Sequence, residues 1–283
     1  MKRPAPAASP AAWVERDPPP AENPLRAFLS FLKKTAVIAG LEARKLRHDP
    51  TELATRAVQP ALWLLVFGQV FTRTRVIATG SLPYIDFMAP GILAQSVLFI
   101  AIFFGIAIIW ERDLGVIHKF LVSPTPRAAL VLGKALSAGV RALAQAAIVY
   151  LLAVLLGVHM NWSAPALLGV VCTVVLGAAL FSTFSLVIAC LVKTRERFMG
   201  IGQIMTMPLF FASNAIYPLT LMPHWLQAVA KLNPLSYQVD ALRALMLAGA
   251  TSSFGLGWDY LVLAACTAAL VWAAALLYPR VAV

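Results

Sequence analysis

Apolar stretches recur along the whole chain, at residues 57–72, 87–110, 135–158, 164–192, 198–216 and 260–279. A helix needs about 20 mostly apolar residues to cross a bilayer, and at membrane depth it satisfies its own backbone hydrogen bonds. The shortest stretch, 57–72, is flanked by Arg56 and Arg73, whose long side chains snorkel from its ends. Mean hydropathy is +0.81 and 12% of residues are charged, against about a quarter in soluble domains. So much apolar surface does not fit inside one water-soluble core. The expected class is an all-α membrane protein with six transmembrane helices.

The same composition excludes other classes. A net charge of +11 invites a nucleic-acid reading, but the basic residues sit between the apolar runs, where they set orientation. No nucleic-acid partner is expected. Cys172, Cys190 and Cys266 all lie within apolar runs without CxxC spacing, which predicts buried apolar packing. His48, His118, His159 and His224 are scattered, so no metal site is expected.

Residues 1–24, rich in Pro and Ala, predict a disordered cytoplasmic tail; no apolar core follows Lys2 and Arg3, so the tail is not a signal peptide. Residues 26–48 then predict an N-terminal interfacial amphipathic helix. Phe28, Phe31, Leu32, Ile38 and Leu46 share one face, and Lys33, Lys34, Arg44, Lys45 and Arg47 the other. Residues 217–251 are apolar but carry Pro218, Pro223, Pro234, Lys231, Asp240 and Arg243. They predict re-entrant helices on the outer side before the last span, with Asn233-Pro234 as N-cap and first-turn proline of the second. Trp110, Trp162, Trp258 and Tyr278 fall near span ends, as interfacial aromatics do.

With six spans both termini share a side. That side receives eighteen Lys and Arg residues against four on the other, with Arg141 inside the third span. Such a bias places both termini in the cytoplasm. It also places there a charged island, Trp110 to Leu136, reading WERDLGVIHKFLVSPTPRAALVLGKAL. Glu111 to Phe120 has the composition of a short helix, and Ser123-Pro124-Thr125-Pro126 terminates it. Val116, Ile117, Phe120 and Leu121 among the charges make a surface able to dock into a protein groove. From the residues alone, a docking surface and a plain loop both remain open.

The segment ERDLGVIHKFLVSPTPRAALVLGK resembles the E-R/K-E-x-G-T-x-x-x-L-x-x-[ST]-P-x-x-R-x-x-x-x-x-G-K signature of ABC-2 type transporter permeases. LRHDPTELATRAVQPALWLLVFGQVF, YIDFMAPGILAQSVLF and NPLSYQVDALRALML resemble, in the same order, that family's entry into the first span, its second span, and its helix before the last span. Together these cover most of residues 40–250. The chain departs from the pattern at His118, where the family often has Glu.

The resemblance makes 25–283 an ABC-2 type transmembrane domain. It implies a permease subunit of an exporter for drugs, lipids or lipid-linked glycans in a bacterial cell membrane. The partners it implies are an ABC ATP-binding subunit and a second permease copy, in a lipid bilayer. The charged island would be a cytoplasmic coupling helix contacting the ATPase through Glu111, Arg112, Asp113, Gly115, His118, Phe120 and Leu121. The chain has no G-x-x-x-x-G-K-[ST], since Gly133-Lys134 lacks both the earlier glycine and the hydroxyl. It is therefore not expected to be an enzyme by itself. No cofactor is expected on this chain; ATP and Mg belong to the partner.

Polar residues inside the predicted spans are candidates for the substrate path. Arg141 either faces a polar pathway, pairs within the bundle, or snorkels to the interface. Gln95, Gln145, Gln203 and Asn214 either hydrogen-bond between helices or line the path. Because the fifth span lines the dimer pathway in relatives, Gln203 and Asn214 join Arg141 as path candidates. Asp240 and Arg243, three apart, predict a local ion pair. An ion-gradient-driven carrier is the alternative; such carriers use intramembrane carboxylates, and no Asp or Glu lies well inside a predicted span.

Overall fold

The structure, a computed structural model, describes residues 55, 58–74, 77, 79, 82–114, 127–192 and 194–278. The predicted tail 1–24, the predicted interfacial helix 26–48, and Gly115, His118, Phe120 and Leu121 lie outside the described residues. The described chain is helical. After a helical entry from Val58, a π-helical stretch Trp63–Gly68 runs into Gln69–Thr74; the entry and these two stretches, 58–74, are together called α1. There follow α2 (Tyr84–Asp113), α3 (Arg127–Leu155), α4 (Ala164–Leu191), α5 (Arg195–Phe211), α6 (His224–Leu232), α7 (Pro234–Met246) and α8 (Leu256–Leu277).

Four described helices are long and apolar enough to cross a membrane: Tyr84–Ile106 of α2, Val131–Leu155 of α3, Ala164–Leu191 of α4, and Leu256–Leu277, which is α8. α5 has 17 residues, about 25 Å at 1.5 Å per residue, just short of a hydrocarbon core of roughly 30 Å. Its Pro208 supplies no N–H to the turn before it. α1 is broken by its π-helical stretch. The predicted first and fifth spans are therefore helical but short.

α2 and α4 form the centre. Of the most apolar stretch of each helix, 83% is buried in α2 and 72% in α4, against 39% in α3 and 17% in α8. The outward surface of α8 carries Leu261, Trp272 and Leu276, side chains that a bilayer solvates. Glycines let α2 approach its neighbours. A Cβ on Gly91 would stand 2.8 Å from the Cα and carbonyl carbon of Ala215, and one on Gly105 would stand 2.7 Å from Phe198 Cζ.

Helix ends depart from the expected positions in an instructive way. α2 starts at Tyr84 and α8 at Leu256, a few residues before the apolar runs, so Asp86 and Asp259 fall in first turns, where a carboxylate complements the helix dipole. Both carboxylates are buried. No Asp or Glu is expected well inside a span, and these two sit at span ends, in first turns. Tyr278 is 0% exposed, packed with Val131, Leu186, Cys190 and Ala274 rather than facing an interface. Cys172 is exposed on α4, while Cys190 is buried as expected.

Candidate functional site

Two regions of the structure carry the residues singled out from the sequence: the end of α2 that bears the charged island, and the opposite end, where the short helices α6 and α7 pack.

α2 has 30 residues, about 45 Å, longer than the hydrocarbon core requires. Its excess projects past the apolar run, so Glu111, Arg112 and Asp113 are its last turn rather than the start of a separate helix. Asp113 is tied to the start of α5: Arg195 Nε and Nη2 donate to Asp113 Oδ2 at 3.1 and 2.7 Å. The same guanidinium lies 4.4 Å from the Trp110 ring centroid. One side chain thus bridges the end of α2 and the N-terminus of α5, where Thr194 Oγ1 accepts the Arg197 N–H. The pair is about 40% exposed on each side, so each interaction is small. A double-mutant cycle between Asp113→Ala and Arg195→Ala is expected to give a coupling of roughly 0.5–1 kcal/mol in thermal unfolding. Strictly additive losses would mean that the bridge does not form.

Between α1, α2 and α3 lies a cavity of about 350 Å³, lined by Thr55, Gln59, Ser96, Gln145, Phe99 and Phe103 among others. Amides and hydroxyls oppose aromatic rings there, a mixture suited to an amphipathic ligand. One turn from Gln145 along α3, the Arg141 guanidinium lies 5.5 Å from the Phe104 ring centroid. Arg141 is therefore turned toward α2. Gln203 lies on the exposed face of α5, whereas Asn214 is buried beyond the end of that helix. The three path candidates occupy three different surroundings. The cavity was not legible in the sequence, because its polar residues come from three helices.

At the opposite end, short helices are knitted to the spans by polar contacts. Asn233 caps α7 as expected, its Oδ1 accepting the Leu235 N–H at 3.0 Å. Its Nδ2 also donates to Leu209 O at 2.6 Å, binding the end of α5. Asp240 and Arg243 do not pair with each other. Arg243 Nη2 donates to Asn214 O at 2.8 Å and Phe87 O at 3.4 Å, and its guanidinium lies 3.9 Å from the Phe87 ring centroid. Burial pushes the Arg243 guanidinium down to about 10, with Asp240 opposing the shift; it stays charged at neutral pH. The loop before α4 is bound here too: His159 Nδ1 is 2.9 Å from Asp86 Oδ2, and Ala248 N–H donates to His159 O.

Known proteins place this architecture. The family model of the ABC-2 type transporter matches residues 35–247. The chain belongs to that family. The permease is 28% identical over 217 residues to ycf38 of Cyanophora paradoxa, named as a putative transport permease, covering 76% of this chain and 74% of that one. It is 27% identical over 225 residues to the daunorubicin resistance ABC transporter permease protein DrrB1 of Streptomyces coeruleorubidus, covering 80% and 78%. Against the inner membrane transport permease YadH of Escherichia coli K12 it is 26% identical over 200 residues, covering 68% and 73%. It is a multi-pass membrane protein and the membrane subunit of an ABC transporter. The matched region includes the island, the α1–α3 cavity and α7.

Proposed function

We propose that this permease exports a hydrophobic or amphipathic substrate, driven by a separate ABC ATP-binding subunit that holds ATP and Mg. Its 25–283 region is the transmembrane domain, assembled with a second copy of itself in a bacterial cell membrane, with the tail 1–24 and both termini cytoplasmic. The six-span reading counts α1 and α5 as crossings, treats 26–48 as interfacial, and treats α6 and α7 as outer-side re-entrant helices. The island is the coupling helix, with Glu111, Arg112, Asp113, Gly115, His118, Phe120 and Leu121 at the ATPase.

The observation that carries this reading is the projection of α2 beyond its apolar run into the island. A rigid helix that leaves the membrane and bears charges is a lever on which a soluble motor can push. The Arg195 bridge supports transmission of that push to α5. The cavity between α1, α2 and α3 supports an amphipathic cargo, and the likeness to DrrB1, named for daunorubicin resistance, favours a drug over a lipid or a lipid-linked glycan. Arg141, Gln203 and Asn214 are proposed along the path, Arg141 nearest the cavity.

Transport into proteoliposomes separates this reading from an ion-gradient carrier. Permease reconstituted with its co-purifying ATP-binding subunit is expected to move a fluorescent anthracycline only when ATP is supplied. Accumulation by the permease alone, under an imposed proton or sodium gradient, would sink the proposal.

A further inference from the structure

Two carboxyl groups meet where α7, the loop after it and α8 come together. Asp240, within α7, and Asp259, in the first turn of α8, are each 0% exposed. The Ser252 hydroxyl lies 2.8 Å from Asp240 Oδ2 and 2.8 Å from Asp259 Oδ2. It also accepts the Gly255 N–H at 2.7 Å, while the Phe254 N–H donates to Asp240 Oδ2 at 2.9 Å. A serine hydroxyl has one proton to donate. It satisfies one carboxyl as donor; at the other, two oxygens face each other at hydrogen-bond distance, and that contact needs a proton of its own.

Two further observations point the same way. Asp240 Oδ1 and Asp259 Oδ1 are both buried and accept no hydrogen bond among the described residues. A bare carboxylate oxygen away from water is costly, far more so when two ionised groups share a site. The charges also do not balance with both acids ionised. The titratable groups on the elements packed here include Arg243 and Tyr237 on α7, Tyr260 and Cys266 on α8, Cys172 and Cys190 on α4, Tyr84, Asp86 and Asp113 on α2, Lys134, Arg141 and Tyr150 on α3, and the exposed His224 and Lys231 on α6. Among these cations Arg243 is the buried one and interacts with Asp240, so it offsets one carboxylate; Asp86 has its own contact with His159.

We propose that Asp240, Ser252 and Asp259 form a buried proton-binding site, in which one proton is held between the two carboxyl groups. The protonated acid donates to Ser252 Oγ, Ser252 donates to the ionised acid, and the Gly255 N–H completes the hydroxyl. Loss of that proton leaves two negative charges across a single hydroxyl and works against the packing of α7 on α8. The site therefore makes this junction sensitive to pH. A proton is the fitting ligand because each orphaned oxygen is enclosed, so nothing larger reaches it.

Infrared difference spectroscopy on the purified permease in lipid nanodiscs tests this directly. At pH 7 the native protein is expected to show the carbonyl stretch of a protonated carboxyl, shifted in D₂O. Asp259→Asn removes it, because Asp240 is then balanced by Arg243, and the asparagine amide donates to Ser252 in the proton's place. Thermal unfolding gives an independent readout. The folded site binds a proton that free carboxyls have already lost, so native stability falls as pH rises from the free-carboxyl range up to the site's own titration, by up to about tenfold in the folding equilibrium per pH unit, and levels off above it. Asp259→Asn should flatten that slope. An unchanged slope in Asp259→Asn overturns the proposal, as does a native spectrum without the protonated band at pH 7. Should the variant fail to insert, the native pH titration of the band decides alone.

Discussion

Gly91→Ala is expected to abolish recovery of folded permease from detergent-solubilised membranes. The added methyl would stand 2.8 Å from the Cα and carbonyl carbon of Ala215, and closer still to its carbonyl oxygen. These are backbone atoms, so no side chain can swing away. Neither partner is free to retreat. Gly91 lies in the most buried span, and the segment around Ala215 is held by Arg243 on Asn214 O and by the Tyr84 hydroxyl on Ile216 O at 3.0 Å. Overpacking a fitted core costs about 1–3 kcal/mol, and rigid backbone on both sides puts this site at or above the top of that range. Gly200→Ala is the control: it lies in α5 with nothing within 4 Å of an added Cβ, and loss of a helix-interior glycine stabilises by roughly 0.5–1 kcal/mol. Fluorescence-detected size exclusion after a heating series measures both. If Gly91→Ala elutes and melts like the native protein, the close packing of α2 on the 212–216 segment is wrong.

Uncoupling by substitutions in the island is the second large effect. Under the proposed function, Glu111→Ala and Gly115→Pro should reduce ATP-driven transport tenfold or more while the permease still inserts and dimerises. A charge-assisted contact of the kind Glu111 would make with the ATPase is typically worth ~1.5–3 kcal/mol, and losing it weakens docking by that order. Gly115 lies two residues beyond the end of α2 at Asp113, and proline there restricts the residue before it to extended conformations. The readout is the ratio of substrate moved to ATP hydrolysed, together with crosslinking of the island to the ATP-binding subunit. Normal export by both variants, with no crosslink from the native island, would reduce it to a loop.

Much of this molecule is legible locally. The apolar run 164–192 ends within a residue of α4, because the 28 residues of that helix are almost wholly apolar and Pro165 sits in the first turn. The Asn233 cap is legible for the same reason: an Asn-Pro pair carries its own conformational preference wherever it occurs. The outer limits of α2 and α8 escape a hydropathy reading because polar residues at helix starts look like loop. Asp86 and Asp259 are hydrophilic, yet each lies in the first turn of a span.

Membrane class, the main spans and family kinship were thus determined by sequence alone, since apolar length, proline position and motif order are properties of contiguous residues. The partners of its buried polar groups were decided only by the tertiary structure. Asp240 and Arg243 sit three apart and read as a pair, but Arg243 turns to Asn214, 29 residues away, and Asp240 to Ser252 and Phe254. Even the part-exposed Arg195 finds its partner, Asp113, across 82 residues. The physical reason is competition: a buried charge takes whichever set of donors and acceptors best replaces its lost water. Those sets are assembled by helices whose contacts no local pattern encodes.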